Sequence, residues 1–368
     1  MKIRLGYVAI SNALGKKVTS SSNVTYKTYS KITSEEKKIE KLKSITHSNF
    51  EGLEKILRYN IENDIHFYRL TSALIPLTTH PDVPNWGYRK LFKKDFEYIG
   101  KLIKKNNMRV DTHPDQFNVI NSANDEVVKN TIKNLSRQVE WFEDMDYPIG
   151  KMVIHVGGAT GGKESALSRF VDNFKTFPHD IQTRLIIEND DKIYTAHETL
   201  TLCKQLDIPM VLDVHHHNCN NEGENIYDML GEIFGTWNKQ QLPPKIHFSS
   251  PRDGELDRKH ADYIDASSFI DFIENSRIVN TDFDVMLECK EKDIALFKLV
   301  DDIKKVEVSL KVVKPEVAEN KEAGIKILIP NGEFYASKVC DTFEEAIDLD
   351  VEALVKQLVK YKEKQRSK

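Results

Sequence analysis

The chain alternates short apolar, β-branched segments with longer amphipathic ones through most of its 368 residues. Repeated strand–helix order favours an α/β fold in which helices connect the strands of a parallel sheet. Eight segments resemble buried strands: Ile3–Ile10, Phe67–Thr71, Arg109–Thr112, Lys151–His155, Leu185–Glu188, Met210–Asp213, Lys245–Phe248 and Asp284–Glu288. Eight such strands favour a closed (β/α)8 TIM barrel over an open sheet, because no glycine-rich dinucleotide loop follows the first strand.

Helical patterns separate these strands, at Ser34–Asn60, Lys93–Lys105, Asp125–Met145, Glu164–Phe177, Ala196–Leu206, Ala266–Asn275 and Asp293–Val306. A barrel of this kind needs roughly 250 residues and often takes more. We therefore predict a barrel domain over residues 1–310.

The sequence changes character near Val312. Residues 314–321 have the composition of a linker, and the next two apolar segments flank Asn331-Gly332, a pair favoured in hairpin turns. A last helix is predicted at about Thr342–Lys362. We predict a small C-terminal appendage over residues 311–368, a hairpin plus a helix, to which the sequence assigns no role.

Cysteine usage and hydropathy indicate the compartment. The four cysteines form no C-x-x-C pair, which argues against a disulfide framework and a zinc knuckle. No signal-peptide core follows Met1, and no apolar segment approaches the length of a membrane span. We expect a soluble, cytoplasmic monomer without a membrane partner. The formal net charge of −4 does not by itself indicate a nucleic-acid partner, although bound divalent cations would add positive charge.

Histidines and carboxylates recur at the ends of consecutive predicted strands and in the loops that follow. They are His113, His155, Glu188, Asp213, His216, His247, His260 and Glu288. The carboxyl ends of barrel strands converge on one mouth, where active sites lie. Imidazoles mixed with carboxylates hold zinc, manganese or iron at catalytic sites. The pattern therefore predicts a multinuclear metal cluster.

Asp213 is followed by three consecutive histidines, residues 215–217. We interpret His216 as the ligand that accompanies Asp213, with His215 and His217 flanking it, although spacing alone leaves that choice open. The other histidines, His47, His66, His179 and His197, lie away from the predicted mouth and receive no site role.

Two or three metals a few Å apart can activate a water and clamp the attacking and leaving oxygens of an in-line displacement, which is phosphoester hydrolysis. A sugar isomerase on the same scaffold is the alternative. It uses two metals and a hydride shift, but it usually needs fewer histidines, and nothing in the sequence indicates a sugar pocket.

Several long motifs resemble those of the UV damage endonuclease family. They are Arg69-Leu-Thr-Ser-Ala-Leu-Ile-Pro-Leu-Thr-Thr-His80, Thr112-His-Pro-Asp-Gln-Phe117, Ile187-Glu-Asn-Asp-Asp191, Lys245-Ile-His-Phe-Ser-Ser-Pro251 and His260-Ala-Asp-Tyr-Ile-Asp265. The likeness runs from Leu5-Gly-Tyr7 to Glu288-Cys-Lys-Glu-Lys-Asp293 and so covers the whole predicted barrel.

The resemblance implies a DNA repair enzyme related to endonuclease IV that incises damaged double-stranded DNA. Its cut would fall immediately 5′ of cyclobutane dimers and 6-4 photoproducts, leaving a 3′-hydroxyl and a 5′-phosphate, with abasic sites as a further substrate. Manganese is the implied ion, with zinc and magnesium as alternatives. One metal would take His113, His155 and Glu188; the second would share Glu188 with Asp213, His247 and Glu288; a third would take His216 and His260.

The resemblance also implies roles around the metals. Lys245 matches a lysine that is carboxylated in relatives, and it shares a strand face with His247, two residues on. His80 would contact the lesion phosphate or water at the metals, as a catalytic residue. Tyr7 would stack on a splayed base, and Gln116 with Phe117 would wedge into the duplex. Phe117 occupies a place that tyrosine can take in the family.

Two further functions fit the same residues. One is an abasic-site endonuclease of the endonuclease IV type, against which Gln116-Phe117 and the long motif after the second strand argue. The other is a damage-binding protein without catalysis, for which a full set of metal ligands would be unnecessary.

Overall fold

The computed structural model describes residues 1–303, 305–314, 316, 318–329 and 332–366. It divides the chain into two compact units, Met1–Phe297 and Lys298–Lys368. No helix in the described part of the chain combines the length and apolar character that crossing a membrane would require.

Eight parallel strands close the first unit into a barrel, with β8 returning to pair with β1. They are β1 (Ile3–Val8), β2 (Phe67–Leu70), β3 (Arg109–Thr112), β4 (Lys151–His155), β5 (Leu185–Glu188), β6 (Met210–Asp213), β7 (Lys245–Phe248) and β8 (Phe283–Leu287). The predicted (β/α)8 TIM barrel is confirmed. Strands β3 to β7 keep their predicted bounds, because strands buried on both faces form continuous apolar segments that the sequence reveals.

Helices follow the strands around the barrel: α1 (Tyr26–Ser30), α2 (Glu35–Glu62), α3 (Tyr88–Leu91), α4 (Lys93–Lys105), α5 (Asp125–Asp144), α6 (Lys163–Thr176), α7 (His179–Gln182), α8 (Ala196–Leu206), α9 (Val214–Cys219), α10 (Ile226–Gly235), α11 (Ala266–Asn275) and α12 (Lys292–Asp302). Polar N-cap side chains set several starts; Ser34, Asn124 and Thr195 each accept a first-turn N–H. Helices α9 and α10, which follow β6, were not among the predicted ones.

Strand β1 is shorter than the predicted Ile3–Ile10. It ends at Val8 because Ala9 has a positive φ of 63°, which turns the chain out of the sheet. Within the strand, Gly6 permits a close approach to β2: a Cβ on Gly6 would lie 2.4 Å from the carbonyl oxygen of Phe67.

The second unit contains an antiparallel sheet in the order β11-β10-β9. Its elements are β9 (Lys305–Val312), β10 (Lys321–Ile329), β11 (Gly332–Cys340) and α13 (Phe343–Arg366). Ile325, Phe334, Ala336 and Leu354 form its core. The structure pairs β10 with β11 as the predicted hairpin, although the turn residue Asn331 lies outside the described residues.

Strand β9 corrects one prediction. The sequence extended a helix to Val306, whereas α12 ends at Asp302 and β9 pairs with β10. The alternation of β-branched and polar residues over 305–312 has the period of a strand, not of a helix.

Candidate metal centre

Glu188 ends β5 at the mouth of the barrel, and four histidines surround its carboxylate. Its Oε2 atom lies 3.0 Å from Nε2 of His113 and 3.6 Å from Nε2 of His155. Its Oε1 atom lies 2.6 Å from Nδ1 of His247 and 3.7 Å from Nδ1 of His216. Residues far apart in the sequence meet here because they occupy the carboxyl ends of β3 to β7 or the first residues after them.

Three groups of potential metal ligands share Glu188, and within each group the ligand atoms lie within 4.8 Å of one another. The other members are His113 with His155, Asp213 with His216, and His247 with Glu288. The structure thus brings together seven of the eight residues predicted to bind metal. The eighth, His260, lies with its ring centroid 6.3 Å from that of His216.

The grouping differs in one respect from the ligand sets that the family resemblance implied. Those sets joined Asp213 to His247 and Glu288, and joined His216 to His260. Here Asp213 lies with His216 instead, since its Oδ2 atom is 3.7 Å from Nδ1 of that histidine. Asp213 also accepts the backbone N–H of His216 through Oδ1 at 2.8 Å, which caps α9.

The surroundings keep the buried carboxylates ionised. Burial raises the pKa of Glu188, but His247, His155 and the hydrogen bond from His113 outweigh it and hold the pKa well below its usual range. Burial also raises the pKa of Glu288, but the charges of Arg69 and His247 have a larger, opposite effect. The net pKa of Glu288 is therefore below its usual range. Both side chains are therefore in the charged form that binds a metal ion.

The surroundings of His216 favour its protonated form. Burial lowers its pKa, but Asp213 and Glu188 raise it more strongly, and the net pKa is raised to about 9. The proton places a positive charge among carboxylates. A metal ion that bound there would displace it, because imidazole binds metal in its deprotonated form.

The donor atoms fit divalent metal ions. Oδ2 of Asp213 and Nε2 of His247 are buried and lack a hydrogen-bond partner within the described part of the chain. Buried polar atoms are normally paired, so an unpaired carboxylate oxygen favours a cationic ligand, and an unpaired imidazole nitrogen can donate its lone pair to one. Nitrogen and oxygen donors without thiolate suit manganese or zinc.

A second layer of charge lies below the ligands inside the barrel. Lys245 is fully buried, and its Nζ atom lies 2.7 Å from Oδ2 of Asp111. The pKa of Lys245 is lowered to about 8. Burial is the largest cause and Arg109 acts in the same direction, whereas Asp111 opposes them. Lys245 precedes His247 by two residues and Asp111 precedes His113 by two, so both pairs share an inward strand face.

Two residues that sequence reasoning gave no role hold ligands in place. Arg69 donates from its guanidinium to Oε1 of Glu288 at 2.5 Å. The side chain of Asn189 makes two hydrogen bonds with the backbone of Asp213. It accepts the N–H of Asp213 at 2.8 Å and donates to the carbonyl oxygen of Asp213 at 3.0 Å. The sequence signal for Arg69 is its place at the start of the motif that runs from Arg69 to His80, and the signal for Asn189 is that it directly follows Glu188.

A cavity of about 600 Å³ opens above the ligands, bordered by loops from several strands. Its lining includes Arg69, Thr71, Ser72, His113, Gln116, His155, Asp190, His216, Arg258 and His260. Gln116, predicted to probe DNA, therefore borders the same cavity as the metal ligands. Its neighbour Phe117 is 74% exposed, so this ring does not cap the barrel core.

The structure places two predicted site residues away from the cavity lining. Tyr7 is fully buried, and its hydroxyl donates to Oδ1 of Asn60 at 2.7 Å. A buried ring has no face open to a splayed base, so Tyr7 is a core residue here. His80 stacks on Tyr26 with ring centroids 4.0 Å apart, and its Nδ1 accepts the N–H of Asp82. Its catalytic role stays a prediction.

The other two histidines of the triplet point elsewhere. His215 is buried with its ring centroid 5.5 Å from that of His260, and Nε2 of His217 lies 3.2 Å from the carbonyl oxygen of Glu224. Successive residues of α9 face different directions, so one histidine of the three enters the Glu188 groups.

Comparison with known proteins gives one consistent family. Residues 3–320 match the model of the UV-endonuclease UvdE family. A UV DNA damage endonuclease of Bacillus cereus (strain B4264) is 38% identical over 304 residues, covering 82% of this chain and 95% of the relative. Another, from Bacillus velezensis, is 38% identical over 305 residues, covering 82% and 94%.

A solved structure agrees with these relatives. The crystal structure of SacUVDE is similar with a TM-score of 0.73 and 32% sequence identity, and the match covers 82% of this chain and 98% of that one.

Proposed function

This chain belongs to the UV-endonuclease UvdE family, and on that premise we propose that it cuts DNA immediately 5′ of UV photoproducts. It is an endonuclease of UV-damaged DNA. The proposed substrates are cyclobutane dimers and 6-4 photoproducts, with abasic sites as a further substrate, and the proposed products carry a 3′-hydroxyl and a 5′-phosphate. The observation that carries the proposal is the sharing of Glu188 by three groups of metal ligands at the barrel mouth.

We propose that two to three divalent ions occupy these groups and that manganese is the preferred ion. Such ions lower the pKa of a bound water and neutralise charge on the oxygens of a phosphate during displacement. Glu188 would bridge them, because its two oxygens face different histidines: Oε2 faces His113 and His155, whereas Oε1 faces His247 and His216.

The protein's own contribution is to fix the ligands before the substrate arrives. Arg69 orients the carboxylate of Glu288, and Asn189 holds the backbone on both sides of the Asp213 carboxylate. Ligands that are already oriented lose little freedom when they bind metal and phosphate.

Lesion selection is proposed for the loop after β3. Asp115 organises this loop: its Oδ1 accepts the backbone N–H of Phe117 at 2.9 Å and a hydrogen bond from the Asn118 amide at 3.1 Å. The loop therefore presents an exposed aromatic ring, next to Gln116, at the edge of the cavity that holds the metal ligands. An apolar ring inserted between base steps is a known way to unstack and kink a duplex.

A cleavage assay tests the proposed function. The protein is incubated with manganese and duplexes that carry one cyclobutane dimer, one abasic site or no lesion, and the products are sized beside chemical ladders with known termini. We expect a cut 5′ of the dimer and no cut in undamaged DNA, and chelation should stop the reaction. Cleavage of the abasic duplex alone would indicate an abasic-site endonuclease, and binding without cleavage would indicate a damage-binding protein.

We also propose that Lys245 is carboxylated when the metals are bound. The modification would replace a positive charge beside Asp111 with a negative one. Arg109 lies 4.0 Å from Oδ2 of Asp111 but is already paired with Asp284 at 2.7 Å, so bound metal ions are the further cations that would offset two buried negative charges at this distance. Carboxylation and metal loading should therefore occur together.

The expected result is a mass increase of one CO₂ on Lys245 in manganese-loaded protein kept in bicarbonate, and no increase after metal removal. Native mass spectrometry or electron density at the side chain measures it. Lys245→Arg, which keeps the positive charge but does not form this adduct, is the matched control. A free ammonium on Lys245 in a fully metal-loaded, active enzyme would contradict the proposal.

A further inference from the structure

Three large apolar side chains of the described barrel residues are about three-quarters exposed: Phe117 at 74%, Leu256 at 72% and Ile278 at 75%. Ile278 lies in a 3-10 helix, Ser276–Val279, that precedes β8 at the amino-terminal end of the barrel. Phe117 and Leu256 lie in loops that follow strands, so both are at the end of the barrel that carries the ligands. Phe117 already has a proposed contact with DNA, and Leu256 has none.

The loop of Leu256 has its own backbone scaffold. Pro251 and His260 form an isolated β-bridge, and the N–H of Arg252 donates to the carbonyl of Lys259 at 2.9 Å. Nearer the tip, the N–H of Asp257 donates to the carbonyl of Gly254 at 2.8 Å. The loop thus holds its shape through backbone hydrogen bonds while the Leu256 side chain projects into water.

The barrel topology places this loop opposite the loop of Phe117. Phe117 follows β3 and Leu256 follows β7, which are four strands apart in a closed barrel of eight. One neighbour from each loop, Gln116 and Arg258, lines the same cavity. A duplex laid across the mouth would therefore meet one exposed apolar side chain on each side of the metal ligands.

We propose that Leu256 is a second apolar wedge. It inserts between base steps of the duplex on the side of the mouth opposite Phe117. The inference rests on the proposed function, since it needs DNA across the mouth. Insertion would remove the Leu256 side chain from water and help to hold the kinked duplex over the metals, as apolar wedges do in DNA-bending proteins.

The test compares Leu256→Ala with two controls: Leu256→Met, which keeps an apolar side chain, and Ile278→Ala, which removes an equally exposed side chain from the other end of the barrel. Stopped-flow fluorescence of 2-aminopurine, placed beside a cyclobutane dimer, reports unstacking before cleavage, and its concentration dependence gives Kd. We expect Leu256→Ala to raise Kd about tenfold and reduce the fluorescence rise, with unchanged Tm and metal content. The two controls should stay within about twofold of the unaltered protein.

A Kd for Leu256→Ala equal to that of Ile278→Ala would overturn the inference, as would an equal loss in Leu256→Met. Failure of the proposed function gives a different result: the unaltered protein would leave the dimer duplex uncut. The fluorescence comparison would still decide the role of Leu256 in that case, because it measures binding and not cleavage.

Discussion

Replacing Glu188 with glutamine is expected to lower the single-turnover rate of cleavage at least about a thousandfold, or about 4 kcal/mol of transition-state stabilisation. The amide keeps the shape of the side chain but removes the one negative charge that all three ligand groups share. Cations bound on either side would then repel each other across a neutral group and be held weakly. Elemental analysis should show metal loss in the same variant.

Glu198→Gln is the matched control for this experiment. Glu198 belongs to a capping box at the start of α8, and glutamine can serve the same capping role there. The control should retain cleavage, and both variants should unfold at temperatures near that of the unaltered protein. A Glu188→Gln protein that kept its metals and more than about a tenth of its rate would show that Glu188 is not the bridging ligand.

Changing Gln116 and Phe117 together to alanine is expected to weaken binding to a dimer-containing duplex about thirtyfold while binding to undamaged duplex changes little. Separating stacked bases costs a few kcal/mol, and the cost is least where a lesion has already weakened pairing. A wedge that exploits this difference provides selectivity without reading base sequence. Binding constants for the two duplexes, measured side by side, give the selectivity ratio.

The exposure of Phe117 makes the result easy to interpret. A side chain 74% exposed contributes little to the core, so the double variant should keep its Tm and its metals. Phe117→Tyr, which retains the ring, should behave like the unaltered protein. If the double variant instead lost stability or metal and kept its preference for damaged DNA, the loop would be structural and the wedge would be refuted.

The segment beyond the barrel adds a feature that the compared relatives do not explain. The relatives align over about four-fifths of the chain, and the family model ends at residue 320. Beyond that point lie β10, β11 and α13, which build most of a sheet-and-helix unit with its own core. Within the described part of this unit, no three histidine, cysteine or carboxylate side chains bring their ligand atoms as close together as those of the Glu188 groups.

The sequence by itself determined the barrel and most of the candidate metal-ligand set. Buried parallel strands are short apolar runs, so β3 to β7 could be delimited residue by residue. Once eight strands were assigned to a barrel, side chains at their carboxyl ends had to converge on the mouth. Glu188 and its histidine neighbours were found in this way without knowing any distance.

Only the tertiary structure decided how those residues are partnered. Lys245 meets Asp111 across 134 residues of sequence, and Arg69 meets Glu288 across 219. Local patterns carry no information on which inward-facing side chains of different strands touch, because register and rotamer set those contacts. The same limit applies to Tyr7, which ends in the core with its hydroxyl on Asn60, although its position near a strand end was equally compatible with the mouth.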